Sequence, residues 1–392
     1  MPHLEILQVA TRRERKQFFE LPWRIYQGDP YWVPPIRAVQ KELLNFRRHP
    51  FYDRAEIAHF LALRDGQPCG RLAAIVNHAH NDWYQEKRGF LGFFESIDDV
   101  EASGRLFDAA RAWFRERGIE ALRGPVNPSL NYELGCLIEG FDDAPWFMMT
   151  YNKDYYGRLF DAYGFRKAQD LYAFWGHVDM LEEVSGRLEP LSRIVVERFN
   201  LNCRPMDISN FKREIGAFLD IYNQSLVSTW GFVPMSEAEV RKQAAGMKQM
   251  IVPELTTIAE VDGKPVGAMF GLLDYNPRIR EIDGKLLPFG FLKLLRNRRE
   301  LKRVRLISTN VLPEYQNWGV GIALVARLVP DVLKWGIREA EFSWVLESND
   351  LSFKTLNKGG AKISKKYRVY DYGPLDTTAN AKFMDQPNAG PS

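Results

Sequence analysis

The chain repeats itself at half its length. Ile25-Tyr26 returns 196 residues on as Ile221-Tyr222, and Asp65-Gly66-Gln67-Pro68-Cys69-Gly70 returns 197 residues on as Asp262-Gly263-Lys264-Pro265-Val266-Gly267. Gly164 and Gly360, each closing a helix-like stretch, are again 196 apart. Offsets that agree across most of 392 residues call for two copies of one plan rather than one large core. In both copies Asp-Gly supplies the positive backbone angles of a tight hairpin turn between strand-like runs, Ala58 to Leu63 with Arg71 to Val76, and Thr256 to Ala259 with Ala268 to Leu273. The offset widens to 218 between Gly118-Ile119 and Gly336-Ile337, because the second half carries an insertion around Asn276 to Arg299. The first half has its own, roughly Pro125 to Thr150. Each half reads strand, helix, hairpin, strand, helix, strand, helix, strand. The expected fold class is therefore α/β, with a twisted mixed sheet flanked by helices in each copy. The expected boundaries are 1–175 for the first copy, 176–200 for a linking helix, 201–374 for the second copy, and 375–392 for a mobile tail.

Within the second copy, Val304 to Val311 reads as a strand and Ile322 to Trp335 as a helix, joined by Leu312-Pro313-Glu314-Tyr315-Gln316-Asn317-Trp318-Gly319-Val320-Gly321. The first N–H groups of a helix lack intrahelical partners and lie at the positive end of its dipole, so such a junction accepts an anion. Gly319 and Gly321 let phosphates approach the main chain. The dinucleotide fingerprint is not matched, since Leu324 stands three residues after Gly321, and no Gly-Lys-Ser/Thr ending makes a P-loop.

The pattern V-x-P-x-x-Q-x-x-G-x-G on a strand, turn and helix resembles the coenzyme signature of the GNAT superfamily of N-acyltransferases. The resemblance covers nearly the whole chain in tandem, although only the second copy has the signature. It implies two GNAT-like domains, with acetyl-CoA or another acyl-CoA as cofactor. Val311, whose N–H would polarise the thioester oxygen, and Gln316, Asn317, Trp318, Gly319, Val320, Gly321 and Ile322 around the pyrophosphate are the implied binding residues. At the corresponding turn the first copy has Glu95, Asp98, Asp99 and Glu101 and no glycine pair, so the resemblance implies a degenerate domain there.

The next strand, Ala340 to Leu346, ends in Glu347-Ser348-Asn349. In the family an Asn here bonds the pantetheine arm or a water; Asn349 could equally cap the helix that follows, and the two roles can coexist. Glu347 is placed as a candidate base, against a solvated carboxylate or proton removal through water. The tyrosine many members use to protonate the thiolate would stand four residues before Gly360, where this chain has Leu356, so the general acid is unassigned among Tyr367, Tyr370, Ser348 and Thr355. None of the six histidines lies in the second copy. Tyr222, Trp230 and Phe232 correspond to the family's acceptor border, or else plug a core.

Composition narrows the rest. Hydrophobic residues at 45% and charged residues at 26% describe a globular chain. A net charge of +3 does not call for DNA. Three scattered cysteines offer neither a disulfide framework nor metal-ligand spacing, and no metal is expected. The N-terminus lacks a signal pattern and no apolar run approaches the ~20 residues that span a bilayer, so a cytoplasmic location is expected. Two local features stay open. Lys293, Arg296, Arg298, Arg299, Lys302, Arg303 and Arg305 form a basic run suited to a solvated face or to phosphates. Beside it, Leu286 to Arg296 mixes apolar and basic residues, so 286–305 could touch a membrane surface, cover a pocket, or pack on the other copy. The expected activity is acyl transfer from acyl-CoA to a small-molecule or peptide amine by the second copy. The alternatives are aminoacyl transfer from tRNA, as in peptidoglycan-building transferases that pair two GNAT-like folds, and a silent acyl-CoA sensor.

Overall fold

The computed structural model describes residues 3–374. The expected tail, 375–392, lies outside the described residues. The first half runs β1 (Leu4–Gln8), α1 (Arg12–Ile25), α2 (Arg37–Leu43), β2 (Ala55–Arg64), β3 (Gln67–Asn77), α3 (His78–Tyr84), β4 (Arg88–Ser96), α4 (Val100–Arg115), β5 (Ala121–Gly124), the short strands β6 (Val126–Asn127), β7 (Glu133–Leu134) and β8 (Cys136–Glu139), α5 (Tyr156–Tyr163) and β9 (Arg166–His177). After α6 (Met180–Phe199) the second half runs β10 (Leu201–Arg204), α7 (Phe211–Ser225), α8 (Glu237–Met247), β11 (Thr256–Val261), β12 (Lys264–Leu273), α9 (Asn276–Glu281), α10 (Gly290–Leu295), β13 (Arg303–Val311), α11 (Val320–Trp335), β14 (Glu339–Leu346), α12 (Asp350–Lys358) and β15 (Lys362–Tyr372).

The repeat is visible in matching local chemistry. Asp65-Gly66 and Asp262-Gly263 both have positive φ at both turn positions, 49° and 75° in the first and 50° and 75° in the second. Gly164 and Gly360 close α5 and α12 with φ of 97° and 80°, a left-handed geometry that a side chain resists. Helix α11 buries Val320, Ala323, Leu324, Leu328, Val332 and Trp335, spaced by three and four, against the second copy's core. Helix α4 does the same in the first copy with Ala102, Leu106, Phe107, Ala110, Trp113 and Phe114. Burying one such Leu or Phe side chain stabilises the fold by about 1.5–3 kcal/mol.

The two copies share one sheet and exchange their last strands. The order is β1-β2-β3-β4-β5-β15-β9-β14-β13-β12-β11-β10, with β8 also on β15. Strand β9, from the first half, lies antiparallel to β14 of the second, with Phe174 opposite Phe342. Strand β15, from the second half, lies antiparallel to β5 of the first, with Tyr370 opposite Gly124. The two exchanged strands pair with each other from Lys362↔Trp175 to Asp371↔Arg166 at the centre of the sheet. Each copy therefore completes the other's sheet. The insertion of the first half, β6 to β8 and the loop to Thr150, lies against the second copy: Asp274 Oδ1 accepts the Phe147 N–H at 3.1 Å.

Candidate active site

A V-shaped opening divides the second copy's sheet. Gly271 pairs with Leu306 and Phe270 with Ser308, which leaves Ile307 as an extra residue in a β-bulge on β13. Strands β13 and β14 pair in parallel only from Arg303↔Glu339 to Leu306↔Phe342 and then part. The Leu312 N–H donates to the Val266 carbonyl at 2.9 Å. Because donors alternate along a strand, the N–H groups of Thr309 and Val311 turn away from β12 and face the V.

The mouth of the V leads to the start of α11. A 3₁₀ turn over Pro313–Trp318 ends at Gly319, which sits at φ 81° as the N-cap and has no side chain to offer the helix. The N–H groups of Val320 and Gly321 come before the first donor of the turn that finds a carbonyl, Ile322 N–H to the Gly319 carbonyl at 2.9 Å. A Cβ on Gly321 would meet nothing within 4 Å, so the space in front of the helix is open. These donors fit a pyrophosphate.

The first copy has the same V, and it is filled. Strands β3 and β4 slip register between Ala73↔Gly92 and Arg71↔Glu95, with Phe93 at φ 53° in the bulge. Strands β4 and β5 pair only from Arg88↔Ala121 to Phe90↔Arg123. Into this gap comes β6: Asn127 Oδ1 accepts the Phe93 N–H at 2.6 Å, and a Cβ on Gly92 would overlap the Val126 carbonyl oxygen. At the start of α4, Asp99 Oδ1 accepts the Ala102 N–H at 3.0 Å while its other oxygen meets Arg64 at 2.6 Å. The chain's own carboxylate holds the position where a phosphate would bind.

At the floor of the second V, where the strands begin to part, Arg305 and Glu341 face each other across β13 and β14. Both are buried, with 2% and 0% of their side chains exposed and 3.9 Å between them. Arg305 donates to the carbonyls of Phe147 and Met148 at 3.1 Å each and to Ser343 Oγ at 2.8 Å, so it ties the first copy's insertion to the second copy's sheet. Glu341 accepts from Ser343 Oγ at 2.6 Å through one oxygen; the other, Oε2, has no hydrogen-bond partner. Burial pushes the Glu341 carboxyl up to about 7, opposed by Arg305 and Ser343. Burial likewise raises Glu133, next to Asn127, to about 7. The sequence carried one overlooked signal of this cluster, two opposite charges at inward positions of adjacent apolar strands.

No family model matches the chain. It is 32% identical over 378 residues to the bacterial ceramide synthase of Caulobacter vibrioides (strain NA1000 / CB15N), covering 94% of this chain and 97% of that one. It is 31% identical over 367 residues to protein YghO of Escherichia coli (strain K12), covering 92% and 93%. The chain belongs to the family of these two proteins. Its fold is that of tandem GNAT proteins: one from the clavulanic acid biosynthesis pathway superposes with a TM-score of 0.55 at 12% identity, over 95% of this chain and 100% of that one. A GCN5-related glucosamine N-acetyltransferase region of a fungal multi-domain β-N-acetylglucosaminidase gives 0.56 at 14% identity, over 95% of this chain and 38% of that one.

In this tandem GNAT fold the residues singled out in the sequence fall in three places. Val311 ends β13 at the open edge, and its carbonyl accepts from Gln316 Nε2 at 3.1 Å. Asn317 is exposed, Val320 is buried, and Trp318 stacks on Phe199 of α6 at 4.2 Å. Asn349 Oδ1 accepts the Ser352 N–H at 3.0 Å and caps α12. Glu347, at the top of β14, is held by Lys167 at 2.7 Å. The third place is the seam between the copies: Tyr222 donates to Asn131 Oδ1 at 3.2 Å, Arg123 lies over the Trp230 ring at 4.5 Å, and the carbonyl of buried Phe232 accepts from Tyr84 at 2.9 Å. Most of the basic run has structural partners. Arg298 donates to the Gln249 carbonyl, Arg299 lies over Trp335, Arg303 meets Asp143 and Asp274, and Arg305 is buried. Among the described residues no helix is long and apolar enough to cross a membrane.

Proposed function

We propose that this protein is an acyl-CoA-dependent N-acyltransferase that binds one acyl-CoA in its second copy and passes the acyl group to the amine of a long-chain amino alcohol. The observation that carries this reading is the asymmetry of the two Vs, one open with an uncapped helix at its mouth, the other plugged by Asn127 and capped by Asp99. The acceptor class rests on the ceramide synthase relative, because ceramide is an amide of such an amine. The same name favours a longer acyl-CoA over acetyl-CoA.

In this reading the first N–H groups of α11 and the turn from Gln316 to Ile322 hold the pyrophosphate. The Asn349 amide nitrogen, whose oxygen partner is already used by the cap, donates to the pantetheine arm. The Val311 N–H stabilises the negative charge that develops on the thioester oxygen. The amine nitrogen forms the new C–N bond, the C–S bond breaks, the amine proton goes to Glu341, and the thiolate leaves to be protonated from water. Glu341 suits the task because its free oxygen lies at the floor of the V and its proton affinity matches neutral pH. Glu347, held by Lys167, is left outside proton transfer. Tyr222, Trp230 and Phe232 wall the acceptor side between the copies.

The test is thiol release from acetyl-CoA and from palmitoyl-CoA in the presence of sphinganine, with Glu341→Gln alongside. We expect amide formation by the wild type with the longer donor. We expect a loss of about 100-fold or more in kcat for the variant, with acyl-CoA affinity unchanged. Transfer that needs aminoacyl-tRNA would replace this reading with the aminoacyl-transferase one, which the structural use of the basic run disfavours. Acyl-CoA binding without transfer to any amine would leave a sensor.

A further inference from the structure

The second half's insertion displays apolar side chains that its packing does not require. Leu287, Phe289, Phe291 and Leu292 are exposed by 80%, 68%, 40% and 54% within six residues. The segment is nonetheless anchored from beneath: Leu294 is buried in the second copy's core, and Leu286 and Leu295 pack against it. Its entry is tied to the first copy, where Arg37 bonds Asp283 at 2.8 Å and the Gly284 carbonyl accepts the Arg37 N–H at 3.0 Å. The result is a supported apolar knob, not a loose loop. Its rim is cationic, with Lys285, Lys293 and Arg296 exposed. Of the nearby acids, Asp283 is engaged with Arg37, Trp23 and Lys285, and Glu300 with Arg278 and Asn297, while Glu281 is exposed. The corresponding connection of the first copy is the short helix α3.

We propose that this knob docks the protein on an anionic membrane surface, with Leu287, Phe289, Phe291 and Leu292 inserted among the acyl chains and Lys293 and Arg296 against the headgroups. Apolar side chains ringed by cations match the layered chemistry of a lipid interface, in which the charged plane lies outside the hydrocarbon. The six-residue α10 is far too short to span a bilayer, so the contact is peripheral. The proposal does not depend on the acyl-transfer reading, and its test measures binding alone.

The test is co-sedimentation of the full chain with vesicles of phosphatidylcholine, and of phosphatidylcholine with phosphatidylglycerol at 3:1, at low and high salt. The wild type is expected on the phosphatidylglycerol vesicles and to leave them as salt rises. The double variant Phe289→Ser with Leu292→Ser should lose at least tenfold in partitioning at unchanged melting temperature, since both side chains are already in water. Lys293→Glu with Arg296→Glu should abolish the preference for phosphatidylglycerol, each cation contributing roughly fivefold. No vesicle binding by the wild type, or equal binding by the serine variant, overturns the proposal. So does a wild-type dimer in solution that the serine variant converts to monomer without any vesicle binding, which would assign the knob to a second copy of the chain.

Discussion

Gly321 separates stability from binding, because its neighbourhood asks for no glycine in the empty protein. The residue lies in the first turn of α11 with ordinary helical φ, and a Cβ there would meet nothing within 4 Å. Replacing a helical Gly by Ala stabilises by roughly 0.5–1 kcal/mol through the unfolded chain alone. Gly321→Ala should therefore raise the unfolding free energy by about that amount. Gly321→Trp should cost little stability, yet its indole would occupy the space in front of the Val320 and Gly321 N–H groups. Each hydrogen bond from such a donor to a charged phosphate contributes about 1.5–3 kcal/mol, so losing both weakens acyl-CoA binding by about 3–6 kcal/mol, or roughly 10²–10⁴-fold. The assay is denaturant unfolding of both variants together with competition titration of a fluorescent acyl-CoA. A Gly321→Trp protein that is folded and binds within threefold of the wild type would refute the placement of the pyrophosphate. Gly319 serves as the contrast, since its φ of 81° and the Val195 side chain 3.0 Å from a Cβ there predict lost stability on the same change.

Three further outcomes follow from the packing. Arg305→Met strands Glu341 and frees the carbonyls of Phe147 and Met148, and should cost about 3–5 kcal/mol in denaturant unfolding; a loss under about 1 kcal/mol would contradict its tying role. Fragments 1–200 and 201–392 expressed singly should aggregate or stay unfolded, and together should assemble, because each lacks the strand that flanks β5 or β14; independent folding of either, read by circular dichroism, would contradict the exchanged topology. His59 sits among the rings of Phe18 and Phe46 and is lowered by burial to about 4 from an unfolded value of 6.5. Between those values the unfolded chain binds a proton that the native one refuses, so stability is lost as pH falls from about 6.5 towards 4. His59→Phe should flatten that acid limb by up to about 1.4 kcal/mol per pH unit; an unchanged slope would refute the assignment.

The local plan was legible because it rests on local chemistry. Asp-Gly turns, the Gly319 to Gly321 junction and the periodicity of α11 each state their geometry within a dozen residues. The strand exchange was not legible. Strands β9 and β15 occupy equivalent places in the two copies, and nothing within either says which copy's β5-like strand it will flank. That choice depends on chain connectivity through α6 and on the combined sheet. The plugging of the first V was hidden for a related reason: the carboxylates of Glu95 to Glu101 announced an unsuitable phosphate site, but Asn127 reaches Phe93 across 34 residues. Glu341 and Arg305 were missed because each reads as a surface charge interrupting a strand, and only the pairing of β13 with β14 brings them together inside. The basic run was misleading in the opposite direction, since Arg298, Arg303 and Arg305 look free in sequence and are occupied in the fold.

The central claim is one acyl-CoA site per chain, in the second copy. Calorimetric titration of the 392-residue chain with palmitoyl-CoA below its micellar concentration, and with acetyl-CoA and free CoA, tests it most directly. The account predicts saturable binding at one equivalent per chain. Two equivalents would contradict the plugged first copy, and none would contradict the acyl-CoA site itself.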